Sequence, residues 1–163
     1  MTEFITKEEA KNQVVLMAKR FAMVYGAFAE VLLREYGEER AKELITLAIK
    51  SYGDKCGETV REGVTKLGLE HSLANYFKVP DLPELGWELQ SETPEEGELK
   101  IDVSYCPLAE HWKSNEMAVL GRLYCYVDQA KFSSYNPNIE CLHTKNVLDG
   151  DKGCTILVRK KIE

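Results

Sequence analysis

None of the short motifs that mark the commonest chemistries occurs in these 163 residues. There is no GxxxxGK[ST] or GxGxxG to cradle phosphates, no GxSxG nucleophile turn and no HExxH metal pair, so nucleotide-dependent, serine-hydrolase and zincin mechanisms have no motif support. CxxC is also absent, which argues against a zinc ribbon or a thioredoxin-type site. Asp149-Gly150-Asp151 resembles the start of a calcium loop, but its twelfth position is Lys160, so an EF-hand fails. Long apolar runs are missing: Val14–Ala18 is far too short to span a bilayer. Positive charge is the scarcer sign, with 21 Lys and Arg against 27 Asp and Glu, a net charge of −6. That balance argues against non-specific nucleic-acid binding, and neither a nucleic-acid nor a membrane partner is expected. The segment Met1–Glu9 has no basic n-region and no apolar h-region, so a signal peptide is not expected. Five cysteines without a secretory signal suggest reduced thiols and a cytoplasmic protein, and their odd number prevents complete intramolecular pairing.

What is there reads as an ordinary globular chain, 44% hydrophobic and 29% charged, expected to form a single domain over residues 1–163. Residues 1–79 carry helical periodicity. Thr6 and Glu9 make a capping-box pattern, and Val14, Val15, Met17, Ala18, Phe21, Ala22, Tyr25, Phe28, Val31 and Leu32 supply a broad apolar face ending near Gly37. A second long helix is expected from Glu38 to about Gly68. Its Gly53 and Gly57 lie on one face, which suggests close backbone approach or a kink. Residues 80–163 change character. Pro80, Pro83 and Gly86 mark a connector, strands are expected over Trp87–Glu92 and Glu98–Tyr105, and a helical region runs from Pro107 to about Lys131, broken near Ser114-Asn115. Strands over Ile139–Lys145 and Cys154–Arg159 follow. The predicted fold is α+β: N-terminal helices, then a β-β-α-β-β unit with an antiparallel four-stranded sheet.

Cys106-Pro107 is the most pointed pair. The alternation of Leu99, Ile101, Val103 and Tyr105 makes a strand, and proline suits the first turn of the helix that follows. Cys106 then sits at a helix N-terminus, where the dipole and free N–H groups lower a thiol pKa; the alternative is a small buried residue at a strand end. Further along, Gly121, Cys125, Asp128 and Phe132 follow i, i+4, i+7, i+11 spacing and share a face, beside a stripe of Leu120, Tyr124 and Val127. A thiol and a carboxylate in one row beside a core stripe could line a cavity, although a helix-edge Asp bonded to a loop explains the pattern too. His143 shares a strand face with Ile139 and Cys141. Whether Cys154 joins that face depends on a register that the sequence leaves open. Cys106, Cys125, Asp128, His143 and Cys154 are potential metal ligands, but none forms a compact pair of known type, and no cofactor is expected.

The order of these features resembles the L-2-amino-thiazoline-4-carboxylic acid hydrolase family. The likeness rests on Gly53…Gly57, Cys106-Pro107, Leu123-Tyr124-Cys125-Tyr126-Val127-Asp128, His143-Thr144 and Gly150-Asp151-Lys152-Gly153-Cys154, across roughly Val31 to Lys160. The C-terminal part also resembles vinyl-reductase-type ligand-binding domains. The first resemblance implies a cofactor-independent hydrolase of a small cyclic amidine or related C–N heterocycle, as in opening 2-amino-thiazoline-4-carboxylate to N-carbamoyl-cysteine. Under it Cys106 is the activated thiol or a pocket donor, Asp128 positions water or the amidinium, and His143 transfers protons. Cys125, Tyr124 and Arg122 would contact the substrate, with Arg61 or Arg122 as the cation for its carboxylate. The second resemblance implies a non-catalytic domain holding a small ligand or metal.

Overall fold

In the computed structural model, residues 4–161 are described. Of the N-terminal segment read above as lacking a signal peptide, residues 1–3 lie outside this range. Helix α1 (Lys7–Tyr36) starts on the capping box: Thr6 Oγ1 accepts from the Glu9 N–H, and the Glu9 carboxylate accepts from the Thr6 N–H. Gly37, at φ 75°, turns the chain directly into α2 (Glu38–Lys66). A short α3 (Leu73–Tyr76), β1 (Glu88–Glu92) and β2 (Leu99–Tyr105) follow. Then come α4 (Pro107–Ser114), α5 (Ala118–Tyr124), α6 (Tyr126–Tyr135), β3 (Ile139–Lys145), a single 3₁₀ turn over Val147–Asp149 and β4 (Cys154–Lys160). The strands form one antiparallel sheet in the order β1-β2-β4-β3, as the α+β reading requires. Among the described residues no helix is long and apolar enough to cross a membrane.

Two details differ from the periodicity. First, α1 buries its small residues, Ala18, Ala22, Gly26 and Ala29, and leaves Met17, Phe21, Phe28 and Val31 substantially exposed. Small side chains bring the helix close to α4 and α5: a Cβ on Gly26 would lie 2.6 Å from the Met117 methyl, and the Trp112 indole N–H donates to the Ala22 carbonyl at 3.1 Å. Second, the helical region after Pro107 breaks twice. Glu116, at φ 58°, separates α4 from α5, and Cys125 separates α5 from α6. The expected single row therefore splits. Gly121 packs under the Trp112 indole, Phe132 enters the core beneath the sheet, and only Cys125 and Asp128 face the same space.

The sheet register answers the question of the last strand. His143 pairs with Ile156 and Cys141 with Val158, and a bulge at Thr144 shifts the pairing so that Lys145 meets Thr155. Cys154, Ile156 and Val158 thus share the covered face with Cys141 and His143, and Val103 of β2 joins them opposite Cys154. Helix α6 lies on this face through Phe132 and Tyr135, with Val60 and Val64 of α2 behind it. The α2–α6 contact is as close as helices allow. A Cβ on Gly53 would sit 2.6 Å from the Val127 carbonyl oxygen, and one on Gly57 would collide with the Lys131 carbonyl. Close approach, and not a kink, is what the two glycines provide.

Candidate functional site

Between the inner sheet face and helices α1, α2, α4 and α6 lies a cavity of about 590 Å³. Each wall arrives by a different local device. Met17 and Phe21 come from α1, on the side it shares with Val14 and Ala18, and Tyr52 and Cys56 from α2 one turn apart. Asp81, Leu82 and Trp87 come from the proline-bounded connector, while Val103, Cys154 and Ile156 stand on the covered face of the sheet. The wall is predominantly apolar. Phe21, Tyr52 and Tyr124 make an aromatic group at one side, with the Phe21 and Tyr124 ring centroids 5.7 Å apart and those of Tyr52 and Tyr124 6.3 Å apart.

Into this apolar space α6 presents one carboxylate. Asp128 Oδ1 lies 3.1 Å from Lys131 Nζ and Asp128 Oδ2 lies 3.2 Å from His143 Nε2. Lys131 also donates to Asp81 Oδ2 at 2.8 Å, and the Tyr76 hydroxyl donates to the same oxygen at 2.9 Å. Burial alone would raise the Asp128 pKa, but the Lys131 ammonium and the His143 hydrogen bond hold it down at about 2. The same carboxylates keep Lys131 charged despite its burial. An imidazole that donates from Nε2 to Asp128 leaves Nδ1 as an acceptor, and Nδ1 is buried with no partner among the described residues.

The thiols behave differently from the sequence expectation. Cys106 does stand at the N-cap of α4, without a side-chain cap hydrogen bond, and the nearby Ala109 and Leu108 N–H groups and Trp87 side chain favour its thiolate. Burial nevertheless outweighs these donors and pushes its pKa up, so the helix N-terminus yields a neutral thiol. Cys125 is pushed up to about 12 for the same reason, with Asn146 opposing, and Cys154 is also raised although its sulfur accepts from the Val147 N–H at 3.3 Å. All five cysteines are free.

Of the residues singled out from the sequence, Cys106, Tyr124, Cys125, Asp128 and His143 all border this one cavity. Arg122 does not: its Nε donates to Asp149 at 2.8 Å, and Asp149 closes the 3₁₀ turn before β4. Arg61 is exposed on α2. Sequence reasoning missed Lys131, Asp81, Tyr52, Cys56 and Asn146. The Asp128–Lys131 spacing of i, i+3 on one helix was an available signal. For Asp81 there was none, because its position depends on how the connector folds back. No group of three or more potential metal ligands is assembled among the described residues.

A family model described as L-2-amino-thiazoline-4-carboxylic acid hydrolase matches residues 17–157. No curated protein matches the chain. Among solved structures, the chain is similar to a trafficking protein particle complex subunit 3 from Naegleria fowleri covalently bound to palmitic acid. The TM-score is 0.56 at 22% identity, over 90% of this chain and 96% of that one, which is a likeness of fold.

Proposed function

The chain belongs to the L-2-amino-thiazoline-4-carboxylic acid hydrolase family, and from that premise we propose that its cavity is the working site of a cofactor-independent hydrolase of a small cyclic amidine or related heterocycle. The observation that carries this reading is Asp128: an ionised carboxylate, fixed by Lys131 and His143, facing an otherwise apolar cavity. An amidinium pairs with such a carboxylate through two parallel N–H···O bonds, which orients the planar amidine carbon for attack. Water adds to that carbon and gives one proton to the Asp128–His143 pair. The same proton is returned to the ring heteroatom that leaves when its bond to the carbon breaks. His143 keeps its Nε2–H on Asp128, so the basic nitrogen of the pair is Nδ1. Cys106 and Cys125, as neutral thiols, serve as wall donors and not as nucleophiles. The free thiols suit a reducing compartment, so we place the protein in the cytoplasm.

The test is turnover of 2-amino-thiazoline-4-carboxylate and of its analogue lacking the carboxylate, followed by mass spectrometry of the ring-opened product. Asp128→Asn is expected to lower kcat by at least about 100-fold, with circular dichroism unchanged, and Cys106→Ala to retain most activity. Full activity in Asp128→Asn would remove the carboxylate from the mechanism.

A second reading is favoured by the size and apolar wall of the cavity. A volume of about 590 Å³ falls in the range of sites that enclose drug-sized molecules, and holding such a ligand needs no chemistry. The structurally similar subunit is itself covalently bound to palmitic acid. A molecule recovered by solvent extraction of the native protein, together with no turnover of either thiazoline, would favour this binding role.

A further inference from the structure

Few charged groups border the cavity, and the carboxylates among them face an apolar space. Asp81, Asp128 and Lys131 are the formally charged residues on its wall among those described, and the His143 imidazole meets Asp128 through Nε2. Lys131 is already committed to both carboxylates, at 2.8 Å from Asp81 and 3.1 Å from Asp128. Neither arginine considered for a substrate carboxylate lines the cavity: Arg122 gives its Nε to Asp149, with its buried Nη1 unpartnered among the described residues, and Arg61 is exposed on α2. A carboxylate that faces an apolar space attracts a cation and repels a further anion. Asp128 and Asp81 retain similar exposure, 20% and 16%, but Asp81 Oδ2 already accepts from both Lys131 and the Tyr76 hydroxyl. Nδ1 of His143, on the imidazole bonded to Asp128, is a buried polar atom without a partner among the described residues. Beyond Asp128 the space is walled by groups such as Val14, Leu82, Leu89, Leu108 and Ile156, which offer dispersion and exclusion of water but no further charge.

We propose that the cavity takes a lipophilic amine or amidine, with its cationic head on Asp128, its apolar body along the sheet and α1, and no carboxylate. This departs from the carboxylate-bearing compound for which the family is described. It rests on the reading of this cavity as the working site, but not on hydrolysis taking place there.

The experiment compares three probes of one chain length, dodecylamine, dodecanol and dodecanoate, below their micelle concentrations. Both tryptophans of the chain, Trp87 and Trp112, line the cavity, so their intrinsic fluorescence reports occupancy without a label. Dodecylamine is expected to bind at least about tenfold more tightly than dodecanol, as one charge-assisted hydrogen bond supplies, and dodecanoate most weakly of the three. In Asp128→Asn, with folding checked by circular dichroism, the preference for amine over alcohol should disappear. Equal binding of amine and alcohol by the wild-type protein, or tighter binding of dodecanoate, overturns the charge inference while leaving an apolar ligand site. Failure of all three probes to bind overturns the ligand class and the cavity reading together. An amine preference without any turnover of the thiazolines sustains the inference and sinks only the hydrolytic reading.

Discussion

Asp128 shows how one residue can be structural and chemical at once. Its carboxyl is held at about 2, below the usual value of 3.8, so the folded state binds its proton less readily than the unfolded chain does. The stabilisation is therefore present above the unfolded value and is lost as pH falls from about 4 towards 2. On the order of 2 kcal/mol is at stake. Urea unfolding of wild type and Asp128→Asn between pH 6 and 2 should show two curves converging at the acid end. Parallel curves would mean that Lys131 and His143 do not hold the carboxylate. This residue was legible, because a charged side chain at the edge of an apolar stripe needs a reason to be there. The fate of Cys106 was not. The helix terminus was visible in Cys106-Pro107, but the depth of burial that reverses its pKa depends on Trp87 and the α1 wall, which arrive from elsewhere in the chain.

At the scale of elements, the pair Gly53 and Gly57 sets the position of the site. Helix α6 carries Cys125 at its start, then Asp128 and Lys131, and its height over the sheet is fixed by main-chain contact with α2. Gly57→Ala gains about 1 kcal/mol of helix propensity. Its methyl, however, meets the Lys131 carbonyl, which no rotamer change can move aside. Overpacking of this kind costs about 1–3 kcal/mol or more, so net destabilisation by chemical denaturation is expected, with weaker ligand binding because Asp128 and Lys131 ride on the displaced helix. A stabilised variant would show that the helices are not in main-chain contact. Helix lengths and strand positions were readable from periodicity because each element repeats its own signal. The break at Cys125 was not, since neither glycine nor proline marks it. Equally hidden was the choice of α1 to bury Ala18, Ala22 and Ala29 in place of its larger residues, because periodicity locates an apolar arc but not which part of it meets a neighbour.

For the whole molecule, the C-terminal parts of α2 and α6 pack on the sheet into a solid half, in which Tyr76, Phe132, Tyr135 and Val158 are fully packed. The other half, between α1, α4 and the inner sheet face, is hollow. The sequence revealed both halves as amphipathic elements and gave no sign that one of them would stay open, because the same apolar residues can line a core or a cavity. Hydrostatic pressure distinguishes these two states. Compression favours whichever state occupies less total volume, and the volume change of unfolding scales with the internal void that unfolding removes. A chamber of about 590 Å³ adds to that void wherever its apolar wall keeps water out, and so lowers the pressure at which the protein unfolds. Filling it with dodecylamine should raise the pressure midpoint and reduce the magnitude of the unfolding volume, both measurable from tryptophan emission in a high-pressure cell. An unfolding volume that does not change on loading would mean that the ligand sits elsewhere. Organisms living at depth would then face a constraint that thermal stability does not reveal: a fold of this kind tolerates compression chiefly while its chamber is occupied.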